Sequence, residues 1–154
     1  MGSDWAELQN IKLANRVPQS SPTQLVDTFD TFCIPASAQG PATDAELRRA
    51  HYVPLPAKNG HVKVYLADDR RPAIVISATI CSVHVRSRAG QSAHFKTYMR
   101  TTFPAATPIN PKGVGSNAEH VWQVNHSAPA FIITERGITV DGFQSFTVSI
   151  YRQV

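Results

Sequence analysis

The chain has 154 residues, of which 42% are hydrophobic, 17% charged and 8% aromatic. That length suits one domain able to bury roughly 70% of the surface its unfolded form exposes, and the composition excludes wholesale disorder. A formal charge of +4 and a pI near 9.3 direct attention to anionic partners.

No apolar run approaches the ~20 residues of a membrane-spanning helix, so no transmembrane segment is expected. The best candidate, Ala73 to Ile80, is interrupted by Ser77 and Thr79. Met1-Gly2-Ser3 lacks the charged and apolar regions of a signal peptide and resembles a leader placed before a mature N-terminus.

Residues 1–20 are polar and aperiodic, and they are expected to form a flexible or partner-docking arm, held if at all by Trp5, Leu8, Ile11 and Leu13. Residues 21–154 are expected to form a single α+β domain with N-terminal helices on a mainly antiparallel sheet that ends in a β-meander. Ser21-Pro22 offers a helix N-cap with proline at the first helical position, and Leu25, Phe29, Phe32 and Cys33 follow at helical spacing before Pro35. Thr43-Asp44-Ala45-Glu46 fits a capping box opening a second short helix to about His51. Tyr52 to Pro56 is extended because each proline disfavours helix before it.

His61 to Leu66 predicts a strand, Asp68 to Pro72 a charged turn, and Ala73 to Arg86 one long strand, apolar on both faces at first and alternating beyond Ile80. There Cys81, Val83 and Val85 share one face, while Ser82, His84 and Arg86 share the other. Gln91 to Phe103 predicts a third helix with Phe95, Tyr98, Met99, Thr102 and Phe103 inward, and Lys96 and Arg100 opposite. Pro104 to Asn117 is a long loop. The meander is expected as Glu119 to Asn125, Pro129 to Thr134, Ile138 to Val140 and Phe143 to Arg152, with turns at Glu135-Arg136-Gly137 and Asp141-Gly142. Its expected core positions are Val121, Phe131, Ile133, Phe146, Val148 and Ile150, with Trp122 packing where its N–H finds a partner.

Cys33 closes an apolar helical pattern and Cys81 sits in an apolar strand, so both point inward and can pair. Closing a loop of about 49 residues would stabilise the fold by ~4 kcal/mol on the chain-entropy account. The alternative is two buried free thiols in a cytosolic protein. No Cys/His cluster with zinc spacing occurs, and no cofactor is implied.

From Arg70 to Ala118 the chain carries no acid, while Arg70, Arg71, Arg86, Arg88, Lys96, Arg100 and Lys112 fall within it. If the solvent side of the alternating strand lies beside the third helix, His84, Arg86, Arg88, Lys96 and Arg100 form one basic binding surface for a phosphate, an acidic protein or an anionic envelope polymer. The plainer alternative is an ordinary solvated face. Nucleic acid is the weaker candidate partner, because the aromatic residues fall on expected core faces and do not interleave with the basic ones.

Six histidines invite acid–base or metal chemistry. His120 and His126 share a strand face but lie ~20 Å apart, too far to chelate one ion. A hydrolytic pair would need His84 or His120 beside a carboxylate such as Glu119. Gly113-Val114-Gly115-Ser116-Asn117 lacks the ending of a P-loop, no Gly-x-Ser-x-Gly elbow occurs, and Asn125-His126-Ser127 is a formal glycosylation sequon.

The segment Leu25-Val26-Asp27-Thr28-Phe29-Asp30-Thr31-Phe32-Cys33, the later Cys81-Ser82-Val83 and the amphipathic stretch His94 to Phe103 give a layout that resembles a loose group of small exported proteobacterial proteins with no established activity. The resemblance covers about Thr23 to Phe103 and does not extend to the C-terminal meander. It implies export to the periplasm or medium and supports the disulfide, and it transfers no catalytic residue. The function expected is a non-enzymatic periplasmic or envelope accessory domain that binds a protein or an anionic envelope component. A small hydrolase or a nucleic-acid-binding module is the alternative.

Overall fold

The computed structural model describes residues 17–34, 41–55, 62–67, 69–126, 128–140 and 142–152. Most of the expected arm, including Trp5, Leu8, Ile11 and Leu13, lies outside the described residues, as do His61, Asp68, Ser127, Asp141 and the side chain of His126.

Ser21 caps helix α1 (Pro22–Thr28) reciprocally with Gln24, and the helix continues as a wider π turn, Phe29–Cys33, in which the Ile34 N–H donates to the Phe29 carbonyl. Helix α2 (Asp44–Arg49) opens on the expected capping box: the Glu46 N–H donates to Thr43 Oγ1 at 3.2 Å and the Thr43 N–H donates to Glu46 Oε1 at 3.0 Å. Helix α3 spans Gln91–Thr102. The strands are β1 (Val53–Pro54), β2 (Lys63–Leu66), β3 (Ala73–Ile76), β4 (Ile80–Arg86), β5 (Thr107–Ile109), β6 (Ala118–His126), β7 (Ala128–Val140) and β8 (Phe143–Arg152). They form one 8-stranded antiparallel sheet in the order β1-β2-β3-β4-β8-β7-β6-β5, and with the helices this is the expected α+β class.

Residue alternation gives the sheet two faces. One carries Ile74, Cys81, Val83, Val85, Phe146, Val148, Ile150, Ile132 and Trp122, and it packs with Leu25, Phe29, Phe95 and Met99 of the helices into the main core. Cys33 and Cys81 are joined as a disulfide with their Cα atoms 5.5 Å apart, pinning the π turn to β4 in the middle of this face. Phe29 and Phe95 meet edge to face at 5.5 Å between centroids, the arrangement ring quadrupoles favour.

Four expectations need correction. Ala73 to Arg86 is two strands: Ser77 turns the chain by donating its backbone N–H to the Ile80 carbonyl and accepting the Ile80 N–H on its Oγ, so β3 and β4 form a hairpin with Ile76 opposite Cys81. Both halves are apolar because both are interior strands. Glu135-Arg136-Gly137 is not a hairpin turn but a bulge within β7, where Gly137 takes φ +97 and the register slips between Arg136 and Ile138. The loop after Pro104 contains β5, paired with β6, and a 3-10 turn at Pro111–Gly113. Val121 and Ile133 are buried as expected, but together with Phe131, which is 37% exposed, they lie on the sheet face away from the helices. On α3, Thr102 is likewise exposed. Alternation decides which residues share a face and not which face the helices cover.

Candidate functional site

The basic residues of the acid-free interval are divided by the sheet. His84 and Arg86 project from β4 on the face opposite Cys81, Val83 and Val85, whereas Lys96 and Arg100 stand exposed on α3, which packs against the other face. The single surface expected from His84, Arg86, Arg88, Lys96 and Arg100 is therefore not formed: a two-residue period on the strand places His84 and Arg86 away from the helix layer.

Each of the first three has local work. His84 Nδ1 lies 3.1 Å from Thr147 Oγ1, and burial pushes its imidazole down to about 4, so it is uncharged at neutral pH. The Arg86 guanidinium sits 3.8 Å above the Phe143 ring, and its Nε donates to the Val17 carbonyl. Arg88 is exposed in the turn before α3, where its N–H donates to Gln91 Oε1 and its carbonyl accepts from Arg136.

Lys96 and Arg100, by contrast, rim an open groove of about 330 Å³ between α3 and the β5–β6 edge. Its floor is made by Met99, Phe103, Pro108 and Trp122, with His120 at the side. Trp122 is fixed from two directions, by Phe95 beneath at 5.8 Å between ring centroids and by His120 alongside at 5.7 Å. Burial, and then the nearby Lys96 charge, lower the pKa of His120, whose side chain lines the groove. Among the described residues no carboxylate lines the groove, and neither Lys96 nor Arg100 enters a salt bridge. One turn apart on α3, the two cations repel mildly, and an anion across the groove would relieve that repulsion.

The carboxylate nearest in sequence is engaged elsewhere. Glu119 accepts from Ser92 Oγ at 2.7 Å on one oxygen and from Arg136 Nε at 3.1 Å on the other. Arg136 also donates to the Ser87 and Ser92 hydroxyls and stacks over Phe146, which locks the start of α3 to β6 and β7. Neither expected hydrolytic pair is assembled: His84 faces Thr147 on the far face, and the oxygens of Glu119 are turned to Ser92 and Arg136, not to His120. Among the described residues no cluster of His, Cys, Asp and Glu is arranged to hold a metal ion, and no helix is long and apolar enough to cross a membrane.

The sequence pointed to Lys96 and Arg100 but missed Trp122, His120 and β5 as their neighbours. The signal was present in the helix-facing parity of His120 and Trp122 on β6, hidden because the loop after Pro104 carried no strand pattern. Compared with known proteins, the chain matches no family model, and no curated protein or solved structure is significantly similar to it.

Proposed function

We propose that this chain is an accessory domain of the periplasm or extracellular space that binds an acidic protein segment in the groove between α3 and β5–β6 and carries out no reaction of its own. The observation that supports this reading most is the pairing of Lys96 and Arg100, exposed on one rim, with a Trp122 floor and no carboxylate among the lining residues. An apolar floor under a cationic rim suits a peptide that buries one large side chain while its carboxylates meet the rim, the division of labour common in interfaces. The disulfide supports the location, because such bonds persist in oxidising compartments.

A protein segment fits better than a nucleic acid. Single-stranded nucleic acid is held by successive exposed aromatic platforms along a basic track, whereas here one half-buried indole lines a groove whose two cations stand on one rim. Nuclear magnetic resonance mapping tests the reading: a short acidic peptide with one central leucine is titrated into the labelled protein, with an oligodeoxythymidine and inorganic polyphosphate as comparison ligands. Shifts concentrated on the Trp122 indole N–H, His120 and the α3 residues around Lys96, produced by the peptide at lower concentration than by either polyanion, support it. Equal response to all three reduces the groove to a non-specific anion surface, and no response contradicts it.

A further inference from the structure

An open pocket of about 450 Å³ lies on the sheet face turned away from the helices, adjoining the cationic groove at Ile109 and Val121. Strand register builds its floor: Ile109 stands opposite Val121, Val121 opposite Ile133, and Phe131 opposite Tyr151, all on this one face. The 3-10 turn after β5 packs against β6 and brings Val114 to the wall. Val114 and Phe131, 47% and 37% exposed, are two of the three large hydrophobic side chains exposed among the described residues, and both line this pocket. Exposed apolar side chains scattered singly need no explanation, but two gathered in one concavity of ligand size do.

Two polar groups enter this apolar slot, Glu135 and the Tyr151 hydroxyl. Among the described residues neither side chain has a hydrogen-bond or ion-pair partner. Burial, then the Glu135 charge, raise the Tyr151 pKa, so its hydroxyl keeps its proton at pH 7 and the carboxylate is the one charge at the slot among the described lining residues. The arginines nearest in sequence do not neutralise it. Arg136 is turned to the helix side, where it stacks over Phe146 and binds Glu119, and Arg152 reaches the Cys33 carbonyl. Glu135 lies four residues along β7 from Phe131, or ~13 Å, with Ile133 between them. The charge therefore sits at one end of an apolar track and the aromatic pair at the other.

We infer that this pocket binds a small amphiphilic cation, a primary ammonium at Glu135 whose unbranched apolar chain lies over Val121 and Ile133 toward Phe131 and Tyr151. The ammonium donates to a carboxylate that has no other partner, and the chain covers apolar surface while excluding water from the ion pair, which strengthens it. An anion of the same shape would bring like charge to Glu135. A neutral alcohol would fill the slot without the charge-assisted bond.

Nuclear magnetic resonance titration of the labelled protein tests this with three probes of one chain length: octylammonium, octanol and octanoate. Octylammonium is expected to saturate below about 1 mM, shifting the methyl resonances of Ile109, Val114 and Ile133 and the Tyr151 ring, with octanol about tenfold weaker and octanoate weaker still. Glu135→Gln should bring octylammonium down to the level of octanol while leaving octanol itself unchanged. Octanoate binding as well as octylammonium to wild type, shifts confined to the α3 groove, or no saturable binding overturns the inference. Equal octylammonium affinity in wild type and Glu135→Gln overturns it as well. Should Glu135→Gln fail to fold, the three probes on wild type decide.

Discussion

Arg152 Nη2 donates a 2.6 Å hydrogen bond to the carbonyl oxygen of Cys33, so the end of β8 grips the same π turn that the disulfide ties to β4. Three elements distant in sequence thus converge on one residue. Burial lowers the Arg152 pKa without discharging it, and the bond supplies part of the compensation a buried guanidinium needs.

Removing the sulfur link while leaving this bond in place separates their contributions. The double variant Cys33→Ala/Cys81→Ala is expected to lose about 4 kcal/mol of stability, the chain-entropy value for a loop of this size. Denaturant unfolding checks it; a loss below 1 kcal/mol would mean that the π turn is held chiefly by Arg152 and core packing.

Arg136 donates to Glu119, Ser87 and Ser92. Arg136→Met is expected to cost about 2–4 kcal/mol, because Glu119 and both hydroxyls lose a donor in a partly buried setting. Arg136→Lys should recover only part of it, since an ammonium cannot span the fork. Thermal unfolding of both variants, each beside wild type, makes the comparison.

Acid acts through two groups, one neutral and one anionic at pH 7. His84 is held near 4 in the folded chain by burial, while the unfolded chain binds its proton at about 6.5; as pH falls through that window the unfolded state takes up more protons and stability declines. Asp44 is held low by the Tyr65 hydroxyl, then the Arg48 guanidinium, so its contribution is present above the ordinary carboxylate range and is lost as pH falls below it. His84→Asn is therefore expected to flatten the stability profile between pH 6.5 and 4, and Asp44→Asn to flatten only the part below about 4. Urea midpoints taken at successive pH values resolve the two; a profile unchanged by His84→Asn would show that this ring is solvated.

Local signals carried the sequence reading furthest. The Ser21 N-cap, the Thr43 to Glu46 capping box, the Asp141-Gly142 hairpin position and the inward parity of Cys33 and Cys81 depend on neighbours within a few residues, and a linear sequence displays those directly. What failed was non-local. Whether Ser77 turns a strand or decorates one depends on Ile80 returning beside it, and whether Gly137 ends a strand or bulges depends on β8 pairing with β7 on both sides of it. The candidate site shows the same limit: alternation placed His84 and Arg86 together correctly, but only the helix layer's choice of face decides that they never meet Lys96 and Arg100.

The cationic groove is the centre of this account, and the affinity of the acidic, leucine-bearing peptide for wild type and for Lys96→Gln/Arg100→Gln, measured by fluorescence anisotropy across salt concentration, tests it most directly. Both side chains are exposed, so the double variant should unfold at nearly the wild-type temperature. The account predicts at least about tenfold weaker binding by the variant at low salt, with the two curves converging as the charges are screened. Equal affinity at every salt concentration, in two proteins of equal stability, would contradict it.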